Sequence, residues 1–239
     1  MHALILAGGL GTRLKSILQD RPKPMADIAG RPFLEYLLDY WILQGINQFT
    51  ISVGYLGSII QTHIGNSYRG IDINYMVESS PLGTGGAIRA ALINTISKDN
   101  NLVILNGDTW FEANLDSLRQ VFFTTSMPLT ICCATVNSNT RYGGLKLGEN
   151  NKVINFGVQI EQKAYINGGC YLIHQETLKS YISRYPDSFS FEKDVIPNLV
   201  SEEKVSASIQ NGVFIDIGIP EDYSLSQKII PNRLKKLQN

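Results

Sequence analysis

The sequence has no apolar run long enough to cross a bilayer, and it enters a short strand-like segment at once, without the layout of a signal peptide. Neither a membrane anchor nor secretion is expected; the cytoplasm is. Cysteine is scarce. Cys132 and Cys133 are adjacent and Cys170 stands alone, a spacing that fits neither a disulfide framework nor a metal site. The three histidines are scattered and form no ligand motif. An excess of one charge is missing too: 21 Lys and Arg balance 21 Asp and Glu. Nucleic acid and membrane surfaces are therefore not expected partners. No repeat, low-complexity stretch or linker divides the 239 residues, so one domain over 1–239 is expected.

What is present is alternation. Short apolar runs at 3–7, 49–53, 71–77 and 102–106 predict strands. Helical patterns near 33–44, 57–65 and 85–96 separate them. The first of these helices carries Leu34, Leu37, Leu38, Trp41 and Ile42, a stripe suited to packing on a sheet. This rhythm predicts an α/β fold, a Rossmann-like, mostly parallel doubly wound sheet in a three-layer αβα arrangement. Looser strand signals at 129–136, 144–147, 152–156, 168–173 and 213–217 predict a mixed-sheet extension. A helical segment from Glu221 to about Leu237, interrupted at Pro231, closes the chain. Its exposed apolar residues suit packing on a neighbour, so a homodimer is possible.

The first strand ends in Gly8, Gly9 and Gly11, and a helix from Thr12 to about Gln19 is expected to follow. Glycines at a strand-to-helix turn let the backbone approach closely, and the N–H groups of a helix start attract anions. Two familiar phosphate loops are excluded. Gly11 is followed by Thr12-Arg13 rather than Lys-Ser/Thr, and the dinucleotide fingerprint lacks its third glycine in either frame. The glycines alone are equally those of a tight turn. Lys23, however, lies between Pro22 and Pro24, which hold the backbone and so direct the lysine. Arg13 and Lys23 beside such a turn suggest a triphosphate.

Two carboxylates complete the pattern. Asp108 follows the buried-strand run Leu102–Leu105 in Asn106-Gly107-Asp108-Thr109, at the same sheet edge as the glycine turn. A turn aspartate that caps the next segment is the plainer reading. Asp216 lies in Val213-Phe214-Ile215-Asp216-Ile217-Gly218, apolar on both sides, where an unpaired carboxylate would cost several kcal/mol. Together they would suit Mg²⁺, which takes one or two carboxylates along with phosphate oxygens and water.

The stretches LILAGGLGTRL, RPKPM, SPLGTGGA, NGDT, NGGCYLI, FEKDVIP and DIGIPEDY occur in the order seen in sugar-1-phosphate nucleotidyltransferases. The chain resembles that family from about Leu4 to Tyr223, and within it most resembles the D-glycero-α-D-manno-heptose-1-phosphate guanylyltransferases, with mannose-1-phosphate guanylyltransferases next. The resemblance implies that a sugar 1-phosphate attacks the α-phosphorus of a nucleoside triphosphate, here GTP, and releases pyrophosphate. Leu6, Ala7, Gly8, Gly9, Gly11, Thr12 and Arg13 would hold the nucleotide with Lys23, Glu78, Gly83, Thr84 and Asp108. Arg13, Lys23, Asp108 and Asp216 would be catalytic, with Mg²⁺ on the two aspartates. Such an enzyme would supply surface-polysaccharide synthesis. Longer relatives append an acyltransferase β-helix, a second activity not expected here.

Base choice is read at Glu78. Pyrimidine-using relatives carry a glutamine at the matching place, whereas an ionised carboxylate only accepts hydrogen bonds. Guanine offers two adjacent donors and would pair with Glu78 in a fork; uracil and thymine offer one donor flanked by carbonyls. On the sugar side the resemblance implies Gly143, Gly144, Asn167 and Gly168. A Phe-x-Glu-Lys stretch whose lysine holds the sugar phosphate is replaced here by Phe156-Gly157-Val158-Gln159. Lys193 becomes the candidate for that phosphate, with Lys163 as the alternative.

Two other classes would leave different marks on the sequence. A GT-A glycosyltransferase would carry an Asp-x-Asp motif where this chain has Asn106-Gly107-Asp108. A non-catalytic sugar-nucleotide-binding subunit would be expected to have lost Arg13, Lys23, Asp108 or Asp216.

Overall fold

Leu4 and Ile5 are sequence neighbours and both fully buried, yet they belong to different cores. Side chains alternate across a strand, so a strand covered on both faces reads as an unbroken apolar run. That is the pattern of β1 (His2–Ala7). The computed structural model describes residues 1–9, 20–94, 100–136, 141–159 and 164–238. A small hairpin of β2 (Asp27–Ile28) and β3 (Arg31–Pro32) leads into α1 (Phe33–Leu43). Then come β4 (Gln48–Val53), α2 (Gly57–Ile64), β5 (Ser67–Tyr68), β6 (Ile71–Val77), α3 (Gly83–Asn94) and β7 (Asn101–Asn106). Strands β7, β1, β4 and β6 lie side by side in that order, all parallel. This is the doubly wound sheet that the sequence predicts.

The second half extends it as a mixed sheet. Its elements are β8 (Thr109–Phe111), α4 (Leu115–Thr125), β9 (Leu129–Val136), β10 (Gly144–Leu147), β11 (Val153–Val158) and β12 (Ala164–His174). They continue with α5 (Gln175–Ile182), α6 (Ile196–Ser201), β13 (Val205–Gln210), β14 (Phe214–Asp216) and α7 (Pro220–Gln238). The long β12 runs antiparallel to β7, β9 and β10, and β13 is parallel to β9. Among the described residues the main sheet has ten strands. Ala3, Ile5, Val103 and Leu105 face the core covered by α1, α2, α4 and α7; Leu4, Leu102 and Ile104 face the one covered by α3, α5 and α6. Three layers result. No helix among the described residues is long and apolar enough to cross a membrane.

Three expectations need correction. The signal at 213–217 is a strand, but β14 pairs with β8 in a separate two-stranded sheet instead of extending the main one. The C-terminal helix runs through Pro231 without interruption. A proline inside a helix costs about 3 kcal/mol, partly because its missing N–H leaves a carbonyl unserved. Burial of Ile230 and Leu234 on either side offsets that, at about 1.5–3 kcal/mol each. The helix is also tied down by Gln227, which accepts from the Ala29 N–H and donates to the Asp27 carbonyl. Finally, the predicted pattern passes over α4, α5, α6 and β13. The helix expected near Thr12–Gln19 lies outside the described residues, as do Gly11, Thr12, Arg13 and Lys163.

Candidate active site

The carboxyl ends of β1 and β7 are neighbours, with Leu6 paired to Asn106. Beyond them the chain turns, and the Gly107 N–H donates to the Leu6 carbonyl at 2.9 Å. That turn delivers Asp108 to the sheet edge beside Gly8. The small β8–β14 sheet then explains how a distant residue joins it: Asp216 pairs with Thr109, and the Ile217 N–H donates to the Asp108 carbonyl at 3.1 Å. Two carboxylates far apart in sequence thus share one wall.

Lys23 meets them from a short 3-10 turn, Lys23–Met25, anchored by the buried Pro24 and Met25. Its ammonium donates to Asp108 Oδ2 at 3.0 Å. Gly218 explains why the group stays compact. Its N–H donates to Asp216 Oδ1 at 2.8 Å, and a Cβ there would lie 2.8 Å from both that oxygen and the Lys23 ammonium. A side chain at this position would push the two charged groups apart.

On the other side, β6 ends at Val77 and the Glu78 N–H continues the ladder onto the Val53 carbonyl at 2.8 Å. Ser52, on β4, donates its hydroxyl to Glu78 Oε1 at 2.7 Å, and the Leu82 N–H reaches Oε2 at 3.3 Å. The carboxylate is thereby laid over Gly8, where a Cβ would overlap Oε1.

These residues line one cavity of about 440 Å³. Leu6, Ala7, Gly8, Gly9, Lys23, Glu78, Gly83, Thr84, Asp108 and Asp216, all predicted from the sequence, are on its wall. Pro24, Pro81, Asn106, Thr109 and Glu192 join them without having been predicted. Hard oxygen donors facing one space fit Mg²⁺ in type. Among the described residues no group of three or more metal-ligating side chains exists, and Mg²⁺ needs none when phosphates and water complete its shell.

The sugar-side residues do not line this cavity. Gly144 opens β10 and pairs with Ile166 on β12, which places it beside Asn167. Gly168 is packed under Phe111. Lys193 is exposed, on a five-residue π turn, Phe191–Val195, whose preceding Ser190 accepts the Lys193 N–H at 3.2 Å. Its neighbour Glu192 faces the cavity instead. Glu192 accepts from the Thr84 hydroxyl at 2.5 Å, the Ser190 hydroxyl at 3.2 Å and the Tyr171 hydroxyl at 3.4 Å. Tyr171 is fully buried. Burial first, then the Glu192 charge, pushes its hydroxyl well above the usual range, so it remains a donor.

A family model described as nucleotidyl transferase matches residues 2–232. The D-glycero-α-D-manno-heptose 1-phosphate guanylyltransferase of Aneurinibacillus thermoaerophilus is 40% identical over 233 residues, covering 95% of this chain and 97% of that protein. Its namesake from Campylobacter jejuni is 39% identical, covering 93% and 97%. The crystal structure of HddC from Yersinia pseudotuberculosis complexed with GMP-PN superposes with a TM-score of 0.82, at 34% identity over 95% of this chain and 98% of that one.

Proposed function

Because the chain belongs to the nucleotidyl transferase family, we propose that it transfers GMP from GTP to D-glycero-α-D-manno-heptose 1-phosphate, giving GDP-heptose and pyrophosphate. The observation that carries this reading is Glu78. An acceptor-only group, fixed by Ser52 and the Leu82 N–H at the end of β6, suits the paired N–H donors of guanine and no other common base. The sugar assignment draws on the two heptose-phosphate enzymes, each matched over nearly its whole length.

In the proposed reaction an oxygen of the sugar phosphate forms a bond to the α-phosphorus of GTP. The bond from that phosphorus to the bridging oxygen breaks, and pyrophosphate leaves with the electron pair. The second pKa of a phosphate monoester is about 6, so the nucleophile is already an anion at neutral pH. No general base is needed. The chain's part is to align two anions and offset their repulsion. Lys23 swings from Asp108 onto the reacting phosphate, and the Gly8 and Gly9 amides line the triphosphate. Asp108 and Asp216 would hold Mg²⁺, which supplies charge neutralisation at the phosphates.

The test is pyrophosphate release with Mg²⁺, crossing GTP, ATP, CTP, UTP and dTTP against heptose, mannose and glucose 1-phosphates. Release confined to GTP with the heptose phosphate supports the reading. Release with mannose 1-phosphate instead would move the sugar, and release with a pyrimidine triphosphate would overturn the role of Glu78.

A further inference from the structure

We propose that Glu192, and not the adjacent Lys193, is the residue of Phe191-Glu192-Lys193-Asp194 that meets the acceptor, and that its carboxylate reads hydroxyl groups of the sugar ring. This deepens the reading of the chain as a sugar-1-phosphate nucleotidyltransferase and rests on it.

The π turn sets the orientation. It puts Glu192 on the cavity wall and leaves Lys193 exposed to solvent. The two carboxylate oxygens are then used unequally. Oε2 accepts two hydroxyls, from Thr84 at 2.5 Å and Ser190 at 3.2 Å. Oε1 accepts from Tyr171 at 3.4 Å, beyond the usual range for an O–H···O bond. Each carboxylate oxygen has room for about two donors, so Oε1 retains capacity for a further one. Tyr171 itself accepts from the Asn167 side chain at 2.6 Å, and Asn167 accepts the Gly169 N–H at 3.0 Å. The carboxylate is held in place by groups that leave Oε1 available.

Its position and charge say what it would meet. Tyr171 and Asn167 belong to β12, which flanks β7 on the side away from β1, whereas Glu78 sits at the end of β6 beyond β4. Oε1 of Glu192 is thus approached from β12 and Glu78 from β4, while Oε2 of Glu192 is tied to Thr84 at the start of α3. A phosphate next to Glu192 would be repelled. A neutral group rich in O–H donors would be bound, and in this reaction the acceptor's sugar ring is that group. A charge-assisted hydrogen bond to a hydroxyl is worth about 10- to 100-fold in kcat/KM.

The experiment compares wild type with Glu192→Gln, measuring KM and kcat for both substrates, the melting temperature, and the penalty for singly deoxygenated sugar 1-phosphates and for 2′-deoxy-GTP. The expected result is a KM for the sugar phosphate raised about 10- to 100-fold, with KM for GTP within about twofold and melting unchanged. In addition, one deoxy sugar that wild type discriminates against loses its penalty in the variant. Equal rises in both KM values with lowered melting would overturn the assignment, because Glu192 would then only tie Thr84 to the π turn. Vanishing of the 2′-deoxy-GTP penalty would seat the ribose there and overturn it too. So would a sugar-phosphate KM that responds to Lys193→Ala and not to Glu192→Gln. If Glu192→Gln fails to fold, the same deoxy-sugar comparison is made with Tyr171→Phe, which frees Oε1 and is expected to change the penalty severalfold; no change there would sink the proposal. A wild type that releases pyrophosphate with no sugar phosphate at all would defeat the functional reading along with this one.

Discussion

The Lys23 ammonium lies 3.0 Å from Asp108 Oδ2, on the wall that Asp216 shares. The lysine side chain is 11% exposed and the aspartate 33%. Water can therefore hydrate Asp108 once its partner is gone, and removing the lysine should cost little stability. Its loss should instead be felt in the reaction, where a positive charge offsets the phosphates. Lys23→Met is expected to lower kcat by about 10²- to 10³-fold with melting almost unchanged. Steady-state kinetics and thermal unfolding of the variant check this, and a large drop in melting with normal turnover would reverse the assignment.

Gly8 gives a steric prediction. A methyl group there would overlap Glu78 Oε1, and Glu78 is the end of a flexible side chain that can move away. Gly8→Ala should leave the fold intact while displacing the carboxylate from the cavity. The expected outcome is an increase of about tenfold or more in KM for GTP, from the loss of charge-assisted hydrogen bonds, and a narrower gap between GTP and UTP. Affinity measured by calorimetry with both nucleotides would show it.

His2 sets a pH dependence far from the site. It is buried on β1, with Nε2 hydrogen-bonded to Thr50 Oγ1 at 3.0 Å and Nδ1 without a partner. Burial first, then the N-terminal charge, lowers its pKa from 6.5 to about 4. Between those values the unfolded chain binds a proton that the folded chain refuses. The stability is full above the unfolded pKa and is lost as pH falls toward the folded one. From about pH 7 to about pH 5 the wild type should lose about 2 kcal/mol through this group. Urea titrations of wild type and His2→Gln at both pH values test it: the variant should lose less, and equal losses would contradict the assignment.

Much of this was legible in the sequence, for physical reasons that also mark the limits. Strands buried on both faces are continuous apolar runs, so β1 and β7 could be read directly, β4 showed as apolar residues alternating with Thr50 and Ser52, and glycines with flanking cations marked the sheet edge where the cavity opens. Asp108 and Asp216 were recognisable because the first follows an apolar strand run and the second has apolar residues on both sides, although their meeting depends on the β8–β14 register, which no local pattern encodes. Helix α4 carried a usable signal that was passed over: Asn114 caps it by accepting the Ser117 N–H, ahead of Leu115, Leu118 and Phe122. Glu192 was hidden for a different reason. In Phe191-Glu192-Lys193-Asp194 either charged neighbour of the pair could face inward, and a π turn, which has no reliable sequence mark, decides which one does.

The most direct test of the account is the ratio of kcat/KM for GTP to that for UTP, measured with the same sugar phosphate in wild type and in Glu78→Gln. A fork between a carboxylate and the guanine edge predicts a strong preference for GTP in wild type. The variant should lose about 10- to 100-fold of it, largely through weaker use of GTP, with thermal stability retained. A ratio unchanged by the substitution would contradict the claim that Glu78 makes this nucleotidyl transferase a guanylyltransferase.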